Sequence, residues 1–168
     1  MFEASATGVE PRVLMYVPGG GFQLETQMLL AQLHGIEAIL LLPNDSIVSP
    51  WMAPYVIHRV SPLGSRANSG RVHTALRFAR NLWQSFRVFR RTRPDYVVCV
   101  GSSICVPGFL VARLMRLRTV YIESITRTDE LSVTGRLIER FHLASRFYVQ
   151  WPEQVAGRRG RHYRGEVL

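Results

Sequence analysis

Short apolar runs alternate with segments of helical period in this chain, and that alternation restricts the fold more than any other feature. Arg12 to Val17 (RVLMYV), Ile36 to Leu42 (IEAILLL), Tyr55 to Val60 (YVIHRV), Asp95 to Val100 (DYVVCV), Thr119 to Ser124 (TVYIES) and Arg146 to Gln150 (RFYVQ) read as strands. Phe22 to His34, Arg71 to Arg91, a shorter stretch around Pro107 to Leu117, and Val133 to His142 read as helices, the first stopped by Gly35. The strands are unbroken apolar runs, as expected where both faces of a sheet are covered. Strand–helix alternation of this kind predicts an α/β fold: a doubly wound, mostly parallel Rossmann-like sheet with right-handed crossovers. One such sheet uses the whole chain, so residues 1–168 are expected to form a single domain. Residues 1–10 and 157–168 are expected to be its loosest parts, and Ser61 to Gly70 a polar loop.

The composition, 47% apolar and 20% charged over 168 residues, excludes a disordered chain. The net charge of +9 is carried entirely by Arg; there is no Lys. That charge fits a solvated basic surface, or anionic partners such as phospholipid head groups, pyrophosphates or nucleic acid. A nucleic-acid module is disfavoured, because no reader motif is present and the aromatic residues follow core periodicity. Cys99 and Cys105 sit in apolar runs and read as reduced core residues, while the absence of CxxC and the scatter of the five His argue against a metal site. No basic stretch followed by an apolar one marks a signal peptide, and the apolar runs are too short to span a bilayer as a helix. Any contact with a membrane is therefore expected from its surface.

Val17 to Glu25 (VPGGGFQLE) joins the first strand to the first helix. Gly19, Gly20 and Gly21 allow a ligand close to the backbone, and the helix start offers free N–H groups and a positive dipole end. An anion or a sugar diphosphate suits that place, and so does a tight turn with no ligand. A dinucleotide fingerprint fails because its third glycine position is Leu24, and a P-loop fails because there is no lysine. A stand-alone nucleotide- or NAD-binding enzyme is thus the weaker alternative. Gly101, Ser102 and Ser103 after the fourth strand supply small residues and hydroxyls at a helix start, either as a ligand wall or as a plain serine cap. Glu123 and Arg127 follow the fifth strand; they suit acid–base and pyrophosphate contacts, or an ion pair that holds the loop.

The long helix carries Val72, Leu76, Ala79, Leu82, Trp83, Phe86 and Phe89 at three- and four-residue steps, bordered by Arg71, Arg77, Arg80, Arg87, Arg90 and Arg91. Core packing of this stripe is the commoner arrangement. The set Arg80, Trp83, Phe86, Arg87 and Arg90 also suits the surface of an anionic membrane, where each Arg contributes ~1 kcal/mol.

Arg93 to Glu153 contains RPD before a strand, the GSSICVP turn, YIESI with a following Arg, LS and TGRL, and VQWPE, in that order; the chain ends HYRGEVL. This stretch resembles the acceptor-side, anchoring subunit of bipartite UDP-sugar glycosyltransferases. That family includes eukaryotic ALG-fourteen of dolichol-linked oligosaccharide assembly and bacterial exopolysaccharide proteins of PssD type. The family's first turn has a His where this chain has Phe22, so no role of that His carries over. The resemblance implies the N-terminal half of a GT-B glycosyltransferase, peripheral on the cytoplasmic face of the membrane. It also implies a lipid-pyrophosphate-linked sugar as acceptor and a PssE-like donor-binding subunit as partner, active only as a heterodimer. No cofactor is expected beyond a UDP-sugar held mainly by that partner. On this reading Gly19, Gly20, Gly21, Gly101, Ser102, Ser103 and Arg127 line the acceptor or phosphate site. Glu25 and Glu123 are the candidate bases for inverting transfer. Trp151, Tyr163 and Gly165 face the partner, although Trp151 equally suits the core and the tail equally suits a frayed end.

Overall fold

The computed structural model describes residues 10–63, 71–155 and 160–167. The strands are β1 (Arg12–Tyr16), β2 (Glu37–Pro43), β3 (Val56–Val60), β4 (Tyr96–Val100), β5 (Arg118–Ile122), β6 (Arg146–Val149) and β7 (Arg161–Tyr163). The helices are α1 (Gly21–Gln32), α2 (Arg71–Thr92), α3 (Cys105–Leu114) and α4 (Val133–Arg140). All neighbouring strands pair in parallel, in the order β3-β2-β1-β4-β5-β6-β7.

Alternate residues of each strand feed two cores, as the two-residue period of a strand requires. Leu14, Tyr16, Val97 and Cys99 point to one face, where they meet Phe89 of α2, Phe109 of α3 and Ile138 of α4. Val13, Met15, Tyr96 and Val98 point to the other, where they meet Leu29 and Leu30 of α1 and Val167 near the C-terminus. Burial on both faces explains why the strands read as unbroken apolar runs.

The expected fold is present, with two corrections. The region 157–168 is not a loose end where it is described. Residues 161–163 form β7 against β6, and Val167 is buried, its N–H bonded to Gln150 Oε1 at 2.8 Å and its carbonyl to Gln32 Nε2 at 3.3 Å. Residues 1–9, 156–159 and 168 lie outside the described residues, as does most of the Ser61 to Gly70 loop.

The second correction concerns α2. Its buried face is Asn81, Ser85 and Phe89, whereas Val72, Leu76 and Trp83 are 70%, 62% and 60% exposed. Of the expected apolar stripe Phe89, Leu82 and Phe86 pack on the core, and a polar chain runs beside them. Tyr16 Oη and Ser85 Oγ share a hydrogen bond of 3.2 Å, Ser85 Oγ donates to Asn81 Oδ1 at 3.2 Å, and Asn81 Nδ2 donates to the Ser61 carbonyl at 2.7 Å. Satisfied polar groups of this kind bury without penalty and fix the helix in one position. Gly108 of α3 allows the approach, because a Cβ there would stand 1.7 Å from Tyr16 Oη.

Candidate functional site

The strand order reverses between β1 and β4, and ligands of doubly wound sheets gather beyond the strand ends at such a point. A cleft of about 670 Å³ opens there, lined by Gly19, Gly20, Phe22 and Gln23 on one side, Ser102 and Ser103 on another, and Asp45 to Ile47 at its lip. Gly20 adopts φ 71°, a left-handed conformation that favours glycine, and serves as the N-cap of α1 with no side-chain cap and no acidic residue in the first turn. The helix therefore directs uncapped N–H groups toward the cleft. Neither Ser102 nor Ser103 caps α3, whose N-cap is Ile104. Gly101 (φ 64°) lies beneath, and a Cβ there would meet the Phe22 ring at 2.5 Å. Phe22 is thus pressed into the floor between the two loops.

Of the expected ligand residues, Gly19, Gly20, Ser102 and Ser103 line this cleft. Gly21 begins α1 just behind them, and Gly101 supports the floor. Arg127 is exposed and does not line it. The alternative ion pair does not form either: Glu123 has no cation within bonding distance among the described residues, and Arg127 acts on it only as a more distant charge.

Glu25 is 3% exposed and Glu123 0% exposed. Glu25 accepts from Ser124 Oγ at 2.6 Å, the Ile125 N–H at 3.1 Å and Gln150 Nε2 at 2.8 Å. Glu123 accepts from the Ser132 N–H and Oγ, both at 3.0 Å, and from the Ser124 N–H at 3.1 Å. Ser132 Oγ in turn accepts from the Gly135 N–H at 2.9 Å and caps α4. Burial raises the Glu123 carboxyl above the usual carboxylate value, and the hydrogen bonds from Ser124 and Ser132 oppose that rise. A general base must touch the hydroxyl it deprotonates. In this chain alone neither glutamate exposes such a surface, and both carboxylates tie loops together. Gln150 completes the device, donating to Glu25 and to the Glu123 carbonyl at 2.9 Å while accepting from Val167.

Trp151 is half-buried, its Nε1 donating to the Ile125 carbonyl at 2.7 Å. Tyr163 stands opposite Val149 at the end of β7, and Gly165 lines a second cavity of about 440 Å³ between α1 and the C-terminal tail. Arg80, Trp83, Phe86, Arg87 and Arg90 share α2; Trp83 and Phe86 stack at 5.8 Å and Arg90 lies over the Phe86 ring at 5.7 Å. Sequence reasoning missed Asp45, the one ionisable side chain lining the main cleft among the described residues. Its signal was a carboxylate directly after the C-terminal end of a parallel strand, hidden in a Pro-Asn-Asp turn.

A model of the family described as "Oligosaccharide biosynthesis protein Alg14 like" matches residues 56–167. The chain belongs to the Alg14-like family. Human UDP-N-acetylglucosamine transferase subunit ALG14 is 36% identical over 104 residues, 58% of this chain and 47% of the human protein. The mouse subunit of the same name is 30% identical over 132 residues, 75% of this chain and 58% of its own length. This Alg14-like chain thus spans about half the length of the curated relatives it matches. MurG of Acinetobacter baumannii superposes with a TM-score of 0.74 at 16% identity, over 94% of this chain and 46% of MurG. That likeness shows the fold alone: a Rossmann-like α/β lobe of GT-B type. Among the described residues no helix of this Alg14-like chain is long and apolar enough to cross a membrane, and no group of three or more His, Cys, Asp or Glu is placed to hold a metal ion.

Proposed function

We propose that this chain is the acceptor-binding subunit of a two-chain UDP-sugar glycosyltransferase that acts on a lipid-diphosphate-linked sugar in oligosaccharide or polysaccharide synthesis. The observation that carries this reading is the open cleft at the β1–β4 switch point. Uncapped N–H groups of α1, the positive end of its dipole and two serine hydroxyls converge there, a setting that suits a sugar diphosphate. The relatives' names as transferase subunits support a second chain that brings the UDP-sugar and closes the cleft. Trp151, two residues beyond β6, and Tyr163, the last residue of β7, are the contacts this reading gives to that partner. No metal or other cofactor is invoked; charge developing on the leaving diphosphate is met by protein dipoles and Arg.

The same reading places the chain peripherally on the cytoplasmic face of an anionic membrane, through the outward stripe of α2. Val72, Leu76 and Trp83 project from a helix that carries Arg80, Arg87 and Arg90 and no acidic residue. The test is reconstitution with a co-expressed donor-binding chain. Transfer from UDP-N-acetylglucosamine to a lipid-diphosphate acceptor by the pair, and by neither chain alone, is the expected result. Full activity of this chain in isolation would refute the proposal.

A further inference from the structure

Glu25 and Glu123 are buried and neither lines the cleft, so a transfer to an acceptor hydroxyl there needs another proton acceptor. We infer that Asp45 is the catalytic base. The inference rests on the reading of the cleft as an acceptor site.

Asp45 is the single ionisable side chain among the described residues that line the cleft. It is exposed, and no described side chain hydrogen-bonds or ion-pairs with its carboxylate, so its lone pairs stay open to a substrate. The turn that carries it is fixed. Ser46 N–H closes the turn on the Pro43 carbonyl at 3.1 Å. Arg59 Nη1 donates to the carbonyls of Pro43, Asn44 and Ser46 at 3.1, 3.0 and 3.1 Å. The far end of the same loop is tied to α1 by Gln23 Nε2, which donates to Ser49 Oγ at 2.5 Å. The carboxylate is thus carried by a braced turn at the C-terminal end of β2, in the lining of the same cleft as Ser102 and Ser103. Such bracing is what a proton acceptor needs, since its value depends on standing within hydrogen-bond reach of the reacting hydroxyl.

The step balances without another reactant. The acceptor hydroxyl oxygen forms a bond to the anomeric carbon of the UDP-sugar brought by the donor chain. The bond from that carbon to the diphosphate oxygen breaks, and UDP leaves with the electron pair. The hydroxyl proton passes to Asp45, which later releases it to water.

The test uses the co-purified two-chain complex, with UDP-N-acetylglucosamine as donor and a short-chain lipid-diphosphate sugar as acceptor. Asp45→Asn is expected to lower kcat about 100-fold or more with both KM values little changed, as removal of a general base does. Asp45→Glu is expected to recover part of that loss. Unchanged melting of both variants checks that the turn is intact. A loss of less than about tenfold or a change confined to KM would overturn the inference alone. A wild-type complex that transfers nothing would remove the acceptor-site reading and this inference together.

Discussion

Glu25 gathers a serine hydroxyl, a backbone N–H and a glutamine amide that belong to two different loops, and it does so out of contact with water. Removing the carboxylate strands all three donors. Glu25→Ala should therefore cost about 3 kcal/mol, the order expected when a charged hydrogen-bonding partner is deleted from a buried site, read as a fall in chemical-denaturation midpoint. Glu123 makes a different prediction, because its folded pKa is raised by burial. The fold favours its protonated form, so that contribution is fully present below the ordinary carboxylate value. It is lost as pH rises through the raised folded value. Glu123→Gln carries no such charge. The difference in melting temperature, variant minus wild type, should accordingly move in favour of the variant as pH increases over that range. Neither burial was legible in the sequence: a lone Glu beside a glycine turn or at a strand end looks the same whether it faces a ligand or three protein donors. Asp45 was illegible for the opposite reason, since Asp after Pro-Asn is ordinary turn chemistry and its clamp, Arg59, lies on another strand.

At the scale of elements, α2 separates what periodicity can tell from what it cannot. The apolar residues do recur at helical spacing, and the helix is present. The side turned inward mixes Phe89, Leu82 and Phe86 with Asn81 and Ser85, which find partners in Tyr16 and Ser61 that no local pattern announces. Leu76 and Trp83 contribute little to the core in consequence. Replacing both with Glu should change stability by roughly 0.5 kcal/mol or less per site, the usual range for surface positions. If the stripe rests on lipid, the same variant should lose at least about tenfold in flotation with anionic vesicles, since each buried apolar side chain is worth about 1.5–3 kcal/mol. Retained flotation would place the stripe elsewhere. The strand β7 escaped notice because it is three residues of Arg, His and Tyr at a sheet edge, with no apolar run to mark it. The central strands β1, β2 and β4 were legible because burial on both faces favours apolar residues at successive positions, whereas the edge strand β3 was marked only by its Val and Ile residues.

For the molecule as a whole, Gln150 joins the two ends of the chain. Its amide nitrogen reaches Glu25 near the start and its oxygen reaches Val167 near the finish. Val167 itself packs with Leu29 and Leu30 beneath α1. Val167→Asp should cost at least about 2 kcal/mol, from the loss of a buried valine and the burial of a charge, with a clear fall in melting temperature of this chain without any partner. An unchanged melt would mean that the tail serves contacts outside the chain. The strand order has one more effect, on the order in which the protein can be made. The first strand sits in the middle of the sheet, with β2 on one side and, through Val13 opposite Tyr96, β4 on the other. A nascent chain can lay β2 and β3 beside β1 early, but the remaining flank of β1 stays bare until Tyr96 emerges from the ribosome. Throughout the synthesis of α2 that apolar edge is open to pairing with a neighbouring polypeptide, so translation across this interval is the period in which the protein most needs protection from aggregation.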